Sequence, residues 1–455
     1  VKIKIAKDLS SCSIPDEILT IIKDDLTFYN PIWVENHKMG RWNKGIPRWI
    51  YMYKEKGKRI GLPTAYLEEL SRILKKNEIP FKVYDQREKN PVEFEFHGTL
   101  KDFQEKAVGD LLAHDWGTLV APTGSGKTVM GIYMIAHRKE RTLILVHTKD
   151  LAFQWIDRIE SFMKIDPKEV GLIGAGKKKK GERITVALVQ SVFRNPGMFQ
   201  PDEFGHVIVD ECHRSPSRTF SEAITLFKSY YSLGLTATPF RRDKLDKLIF
   251  FHLGAIRHQI QKKTLERSGD IMKARFIMRE TEFEPTHDPI GEYSKMLSEL
   301  TRDRERNELI CRDIAKHSNA DDITLILSDR KAHCELLREG LLDRGITAQV
   351  LTGATPPKKR KEIIKNIGTR GYNYICATGQ LIGEGFDCKE LNVLYITTPI
   401  RFTGRIIQYI GRILRPAKGK ESAIVFDYAD WYVDVLARAA KHRIKIYGKG
   451  NVIHE

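Results

Sequence analysis

Ala121-Pro122-Thr123-Gly124-Ser125-Gly126-Lys127-Thr128 decides how this chain is read. The apolar run Gly117 to Ala121 leads into it, and a stretch with helical character follows. Glycines at 124 and 126 let the backbone turn its N–H groups inward around a phosphate, while Lys127 reaches the β and γ oxygens and the Thr128 hydroxyl ligates Mg²⁺. Thr123, Gly124, Ser125, Gly126, Lys127 and Thr128 are therefore the candidate nucleotide cradle. The strict pattern has glycine where this chain has Ala121. The alternative is a glycine-rich turn that binds nothing, against which stand the strand before it and the helix after it.

A phosphate loop needs a carboxylate at the end of a neighbouring strand. His206-Val207-Ile208-Val209 runs directly into Asp210-Glu211-Cys212-His213. Asp210 is placed to hold Mg²⁺ through its water shell, and Glu211 to orient or deprotonate an attacking water. Around these blocks, Gly117 to Ala121, Thr142 to His147, Ile184 to Val189, His206 to Val209 and Ser232 to Leu235 read as buried parallel strands between helices. A charged stretch from about 240 to 319 has no clear strand rhythm for much of its length. The pattern then resumes with Ile323 to Leu327, Ala348 to Leu351, Tyr372 to Ala377, Val393 to Thr397 and Ala423 to Phe426. This predicts an α/β protein with two parallel sheets of similar size and a cleft between two lobes.

The composition agrees with that plan. The 455 residues suggest about three domains, and 41% hydrophobic with 30% charged residues is the balance of a soluble globular chain. Lys and Arg number 76 against 59 Asp and Glu, a net charge of +17 that favours polyanions, with nucleic acid or an anionic membrane surface foremost. No apolar run approaches the roughly 18 to 20 residues of a membrane span. Val1-Lys2-Ile3-Lys4-Ile5 alternates like a strand and has no signal-peptide apolar core, so the expected compartment is the cytoplasm. The six cysteines, Cys12, Cys212, Cys311, Cys334, Cys376 and Cys388, form no CxxC pair, which argues against a zinc ribbon or disulfide framework.

With these blocks in order, the chain resembles the superfamily 2 helicases and translocases from about Leu100 to Pro416. Asp210-Glu211-Cys212-His213 is similar to their DExH box, and Gln104 to the glutamine that reads adenine, although Lys101 stands where relatives have arginine. Leu235-Thr236-Ala237-Thr238-Pro239 is similar to motif III, which implies a coupling role for His213, Thr236 and Thr238. Ala377 to Asp387 is similar to motif V, with Gly385 and Asp387 facing nucleotide. Gln408-Tyr409-Ile410-Gly411-Arg412-Ile413-Leu414-Arg415 is similar to motif VI and makes Gln408, Arg412 and Arg415 catalytic candidates. An arginine supplied to a transferring phosphoryl group is worth roughly 10³ to 10⁵ in rate. Arg412 and Arg415, three apart, are expected on one helix face, reaching across the cleft.

The resemblance implies two tandem RecA-like lobes at 99–251 and 252–455 behind a small α/β N-terminal domain at 1–98. It implies ATP and Mg²⁺ as cofactors, with Thr128 and Asp210 on the metal, and phosphate contacts at Thr148, Lys149, Gln190, Ser191, Ser328, Thr352 and Thr378. Each of these, taken singly, also reads as a helix cap or turn residue. DECH and Thr-Ala-Thr replace the DEAD and SAT forms of DEAD-box RNA helicases, and the likeness is nearest to the DNA-directed branch of XPB and UvsW. That branch implies a monomeric enzyme that unwinds or branch-migrates forked and junction DNA in recombination, replication or repair. The motor of a restriction system, an RNA helicase and a passive binder with a decayed ATPase are the alternatives.

The first 98 residues hold Trp33, Trp42, Trp49, Tyr51 and Tyr53 among Arg41, Lys44, Arg48, Lys54 and Lys56. Arg48 to Tyr53 and the basic residues after it are expected to form a hairpin, and Thr64 to Lys76 a helix. Two readings stay open. Arg41, Trp42 and Arg48 grip nucleic acid by stacking and charge, or the aromatics build a small core under a solvated basic face. The run Lys177 to Lys180 likewise is either a DNA contact or a loose loop.

Overall fold

The computed structural model describes residues 1–454 apart from 6–8, 13, 58, 88, 215–216, 238–245, 318, 320, 370–371, 380–387, 401–402, 418–419, 421 and 449–450. The chain divides into two compact units, Val1–Ala121 with Gly126–Ile260, and Pro122–Ser125 with Gln261–Glu455. No helix among the described residues is long and apolar enough to cross a membrane.

The first unit is built on an eight-stranded sheet. Its order is Lys177–Lys179, Gly171–Gly174, Ile184–Leu188, Thr142–Val146, His206–Asp210, Tyr231–Thr236, Trp116–Val120 and Ile256–Gln259. All pairs are parallel except the edge pair of Lys177–Lys179 with Gly171–Gly174. Trp116–Val120, Thr142–Val146 and His206–Asp210 are buried along their whole length. Helices on both faces leave such strands no wet side, so their sequences run apolar without alternating. The lysine run is thus neither loose nor buried: Lys177–Lys179 is an exposed edge strand, and Lys180 pairs with Glu203 at 2.7 Å.

The last strand of this sheet moves a boundary. Ile256–Gln259 pairs with Trp116–Val120, so the start of the second lobe expected at 252 falls inside the helix Asp246–Leu253 and the first sheet continues beyond it. Gly254 makes the join, with φ at +94° and the Trp116 backbone where a Cβ would stand. The expected boundary after 98 also lies within a packed segment, where Phe96 stacks on Phe162 at 5.8 Å and meets Tyr133 edge-on at 5.2 Å.

Residues 1–85 add a five-stranded sheet, ordered Lys54–Lys56, Arg59–Leu62, Leu9–Cys12, Lys2–Ile5 and Lys82–Asp85. Its core is aliphatic, with Ile3, Leu9, Ile22, Leu26, Leu70 and Leu74 fully buried beside Tyr66. Trp116 joins that core and Phe251 packs on Tyr66 at 5.1 Å, so the module shares its interior with the first lobe. Arg87 reinforces the seam, bonding Asp85 at 2.6 Å, Asp115 at 2.9 Å and the Tyr230 carbonyl at 2.5 Å. The expected hairpin shifts in register. Trp49–Tyr51 pairs with Thr27–Tyr29 as a separate two-stranded sheet, and the hairpin proper joins Lys54–Lys56 to Arg59–Leu62. The helical stretch is present as Thr64–Tyr66 and Leu67–Lys76.

The second unit holds seven parallel strands, ordered Ala348–Leu351, Tyr374–Thr378, Thr324–Ser328, Val393–Ile396, Ala423–Asp430, Ala274–Thr281 and Val452–His454. Ala274–Thr281 lies in the stretch read as lacking strand rhythm, because Arg275 and Arg279 interrupt its apolar pattern. Arg279 is neutralised by Asp313 at 2.9 Å. A deeper pair joins Arg306 to Asp430 at 2.8 Å, both side chains 1% exposed, and Arg306 also donates to the Thr397 carbonyl. Removing one partner of a buried pair strands the other charge in a low dielectric, at a cost of roughly 3–5 kcal/mol. Asp430→Ala is expected to destabilise this unit by about that amount in urea unfolding, whereas Asp434→Ala on the neighbouring helix Asp434–Tyr447 is expected to change it far less.

Candidate nucleotide site and nucleic-acid surface

The phosphate loop sits where the sequence places it, between Trp116–Val120 and the helix Lys127–Arg138. Gly124 and Gly126 have φ of +91° and +81°, the left-handed conformation that turns successive N–H groups to one side. Gly126 has a second reason to be glycine, because a Cβ there would collide with Gln104 Nε2. Gln104 is 7% exposed, and its Oε1 accepts from the Lys101 backbone N–H at 3.0 Å. That bond uses only the main chain of Lys101, so the lysine in place of the family's arginine leaves the glutamine's anchor intact.

Lys127 donates to the Ala121 carbonyl at 3.0 Å and lies 4.0 Å from Glu211 Oε1. Asp210 ends its strand with both oxygens held: Oδ1 accepts from the Glu211 backbone N–H at 2.9 Å and Oδ2 from Trp155 Nε1 at 2.8 Å. Burial, and then the charge of Glu211, push the Asp210 carboxyl above its ordinary range. Glu211 takes φ of +48°, a strained conformation for a non-glycine residue, at the point where strand becomes turn. His213, in the turn Cys212–Arg214, meets Thr236 Oγ1 at 2.8 Å and Glu211 Oε2 at 3.3 Å through Nδ1. The structure therefore brings Gln104, Lys127, Asp210, Glu211, His213 and Thr236 together within one unit. Thr238, Gly385 and Asp387 lie outside the described residues.

The donor set suits a nucleotide with Mg²⁺. The Thr128 hydroxyl and the Asp210 carboxylate are the hard oxygen donors that would hold it, which fits an ion that keeps several waters and takes its remaining ligands from phosphate. Trp155 is the member of this site that sequence reading missed. Only its place two turns into the helix Lys149–Met163 hinted at it, and that spacing equally fits a core residue.

In the second unit Arg412 belongs to the helix Thr403–Ile413, but Arg415 lies beyond its end. The Arg415 N–H reaches the Arg412 carbonyl at 3.4 Å, a tightened final turn, so the helix expected to carry both arginines ends before Arg415. Lys420 caps this end, donating to the carbonyls of Ile413 at 2.5 Å and Arg415 at 2.8 Å, the arrangement that suits a cation at a helix C-terminus. The backbone of Gln408 lies on the same helix.

The expected phosphate contacts divide. Lys149 and Gln190 are exposed, Ser191 and Thr378 half-buried. Thr148 is the N-cap of Lys149–Met163, accepting from Leu151 N–H at 3.3 Å. Thr352 is 5% exposed and its hydroxyl accepts from Ala354 N–H. Ser328 is corrected: at 2% exposure its hydroxyl meets His333 Nδ1 at 2.9 Å and accepts from Arg330 N–H at 3.1 Å. The last residue of a buried strand has turned inward to close a loop, not outward to phosphate.

In the N-terminal module the tryptophans are not its core. Trp42 is 85% exposed, Arg41 is exposed, and the Arg48 guanidinium lies over the rings of Trp33, Trp49 and Tyr29 at 5.2, 5.6 and 5.8 Å. Tyr29 and Trp49 pack at 4.0 Å between centroids.

A phosphate loop and an Asp-Glu strand end on one parallel sheet, followed by a second parallel sheet bearing an arginine helix, define the class as a P-loop ATPase motor. Residues 97–241 match the family described as type III restriction enzyme, res subunit, and residues 305–417 match the helicase conserved C-terminal domain. The chain is 29% identical, over 96% of its length and 82% of the relative, to a putative ATP-dependent RNA helicase of Acanthamoeba polyphaga mimivirus. It is 26% identical to the DNA 3'-5' translocase XPB2 of Sulfurisphaera tokodaii over 72% of this chain and 80% of that one. A fragment of a putative type I restriction HsdR subunit from Vibrio vulnificus shares the fold, with a TM-score of 0.58 and 19% identity over 79% of this chain and 69% of that one. The chain is a superfamily 2 helicase related to XPB, and its activity is that of a nucleic-acid-dependent ATPase with two RecA-like lobes.

Because the Ser328 hydroxyl is consumed internally, Ser328→Ala is expected to lower stability by about 1–3 kcal/mol, the cost of leaving buried polar partners unmet. Its nucleic-acid affinity, measured by fluorescence anisotropy, is expected to stay within twofold of the parent at roughly constant salt.

Proposed function

We propose that this helicase is an ATP- and Mg²⁺-dependent DNA motor that acts on forked or branched duplexes, of the kind met in recombination, replication or repair. The observation that supports it most is the continuous chain from Lys127 through Glu211 and His213 to Thr236. Lys127 stands to hold the β and γ oxygens, and Glu211 to take the proton of the attacking water. His213 and Thr236 report the state of Glu211 to the end of the next strand. Bound Mg²⁺, held by Thr128 and Asp210, would neutralise charge on the phosphates. Gln408, Arg412 and Arg415 are assigned the remaining family roles toward nucleotide, with Gly385 and Asp387.

On the nucleic-acid side, Lys149, Gln190 and the half-buried Ser191 and Thr378, with the helix cap Thr148 and the turn residue Thr352, are assigned to the backbone track; such groups position a strand without reading its sequence. Exposed Trp42 with Arg41, and the aromatic nest under Arg48, support substrate recognition by the N-terminal module, since bases stack on aromatics while cations hold phosphate. DNA is favoured over RNA by the XPB likeness, and the named activity of the mimiviral relative makes RNA duplex the comparison to run. The protein is assigned to a cytoplasmic setting as a monomer.

Lys127→Ala and Glu211→Gln are each expected to cut DNA-stimulated ATP turnover by roughly 100-fold or more while DNA binding persists; rapid turnover by either would remove the proposed site. Strand separation compared on forks, four-way junctions, blunt duplex and RNA duplex is expected to be fastest on branched DNA. Equal rates on blunt and branched duplexes would remove that preference. If about six phosphates are engaged, log affinity should fall against log salt with a slope near −5.

A further inference from the structure

Trp155 touches two parts of the hydrolytic site at once, the Asp210 carboxylate and the helix that opens with Lys127. It grows from the helix Lys149–Met163 and is 1% exposed. Its Nε1 donates to Asp210 Oδ2 at 2.8 Å. Its ring lies on Gly131 of the helix Lys127–Arg138, with the ring edge 2.8 Å from where a Cβ would stand. Gly131 is one turn beyond Lys127, so the indole sits against the helix that opens with the phosphate-binding lysine.

The contact with Asp210 is directional. One carboxylate oxygen is tied to the Glu211 main chain and the other to the indole, so the group has no free rotation about its Cβ–Cγ bond. Each oxygen keeps a further lone pair for an outside partner. Without the indole N–H, Oδ2 would be buried with that bond unmade, and the carboxylate would turn to recover it.

The other end of the same helix is the candidate grip on nucleic acid. Thr148 caps it and Lys149 begins it, about two turns and roughly 10 Å before Trp155. The helix Lys149–Met163 joins the two ends directly, so a shift of its first turn would reach the indole and, through it, Asp210.

We propose that Trp155 is a positioning residue that fixes the Asp210 carboxylate and couples it to nucleic acid held at Thr148 and Lys149. This rests on the reading of Asp210 as the carboxylate toward Mg²⁺.

The experiment compares the full-length protein with Trp155→Phe, which keeps a ring and removes the N–H. Loss of a hydrogen-bond partner behind a metal-facing ligand weakens metal affinity about 10- to 100-fold. Trp155→Phe is therefore expected to raise the Mg²⁺ concentration that half-saturates ATP turnover by roughly tenfold. In a binding measurement without turnover, the tightening of a fluorescent ADP analogue by Mg²⁺ is expected to shrink by a similar factor, while metal-free ADP binding is retained. The factor by which DNA stimulates turnover is expected to fall roughly fivefold. A merely structural tryptophan would lower the melting temperature and leave the Mg²⁺ dependence and the stimulation factor as they are, and that result overturns the proposal. Should Trp155→Phe fail to fold, Gly131→Ala displaces the ring without removing it and is expected to raise the Mg²⁺ requirement in the same direction; a folded Gly131→Ala protein with parental Mg²⁺ dependence also overturns it. If the parent protein itself shows no Mg²⁺-dependent nucleotide binding, the reading of Asp210 fails and the coupling fails with it. Parental Mg²⁺ dependence in Trp155→Phe overturns the positioning role of Trp155 and leaves the reading of Asp210 standing.

Discussion

A parallel strand covered on both faces can offer polar chemistry only where it ends. Thr142–Val146, His206–Asp210 and Trp116–Val120 are buried throughout, so the loop after Val120, the carboxylates at Asp210 and Glu211, and the hydroxyl of Thr236 collect at the C-terminal ends of neighbouring parallel strands. From that crowding follow the strained backbone of Glu211, the raised carboxyl of Asp210 and the bridge of His213 to Thr236. Groups that would repel or dehydrate one another in isolation are held there because the strands behind them cannot move independently.

The same constraint explains which residues at the strand ends are available to an outside partner. Lys149 follows its strand and stays exposed as the first residue of a helix. Ser328 also ends its strand, but His333 and Arg330 close over its hydroxyl. Position at a strand end makes a residue eligible for contact, and the neighbours supplied by later segments decide whether it is taken up internally.

The N-terminal module shows how charge and aromatics are divided between interior and surface. Its aliphatic core is completed by Trp116 from the first sheet, which frees its own tryptophans from packing duty. Trp42 projects into solvent, while Arg48 spreads over three rings. A +17 chain can therefore show cations together with flat apolar faces, the combination that suits a polyanion with exposed bases. In the second unit the opposite solution appears, with Arg306 and Arg443 sunk beside Asp430 and Asp427.

Much of this was legible in the amino-acid order. The glycines at 124 and 126, Lys127 and the Asp-Glu pair are local requirements of phosphate chemistry, and the apolar runs of the central strands are local consequences of double-sided burial. The motif order implied two parallel-sheet lobes but not where one ends and the next begins. What the order could not state is anything that depends on distant segments meeting. Ala274–Thr281 was hidden because Arg279 looks polar until Asp313 neutralises it, and the helix expected to carry both Arg412 and Arg415 ends at Ile413, where Lys420 binds the terminal carbonyls. The hydroxyl of Ser328 was claimed by His333 on the next helix, and Trp155 met Asp210 across 55 residues. Composition and spacing determine which groups a segment brings. Only the tertiary structure decides which of them meet, because hydrogen bonds and burial act through space and reward partners that sequence distance does not reveal.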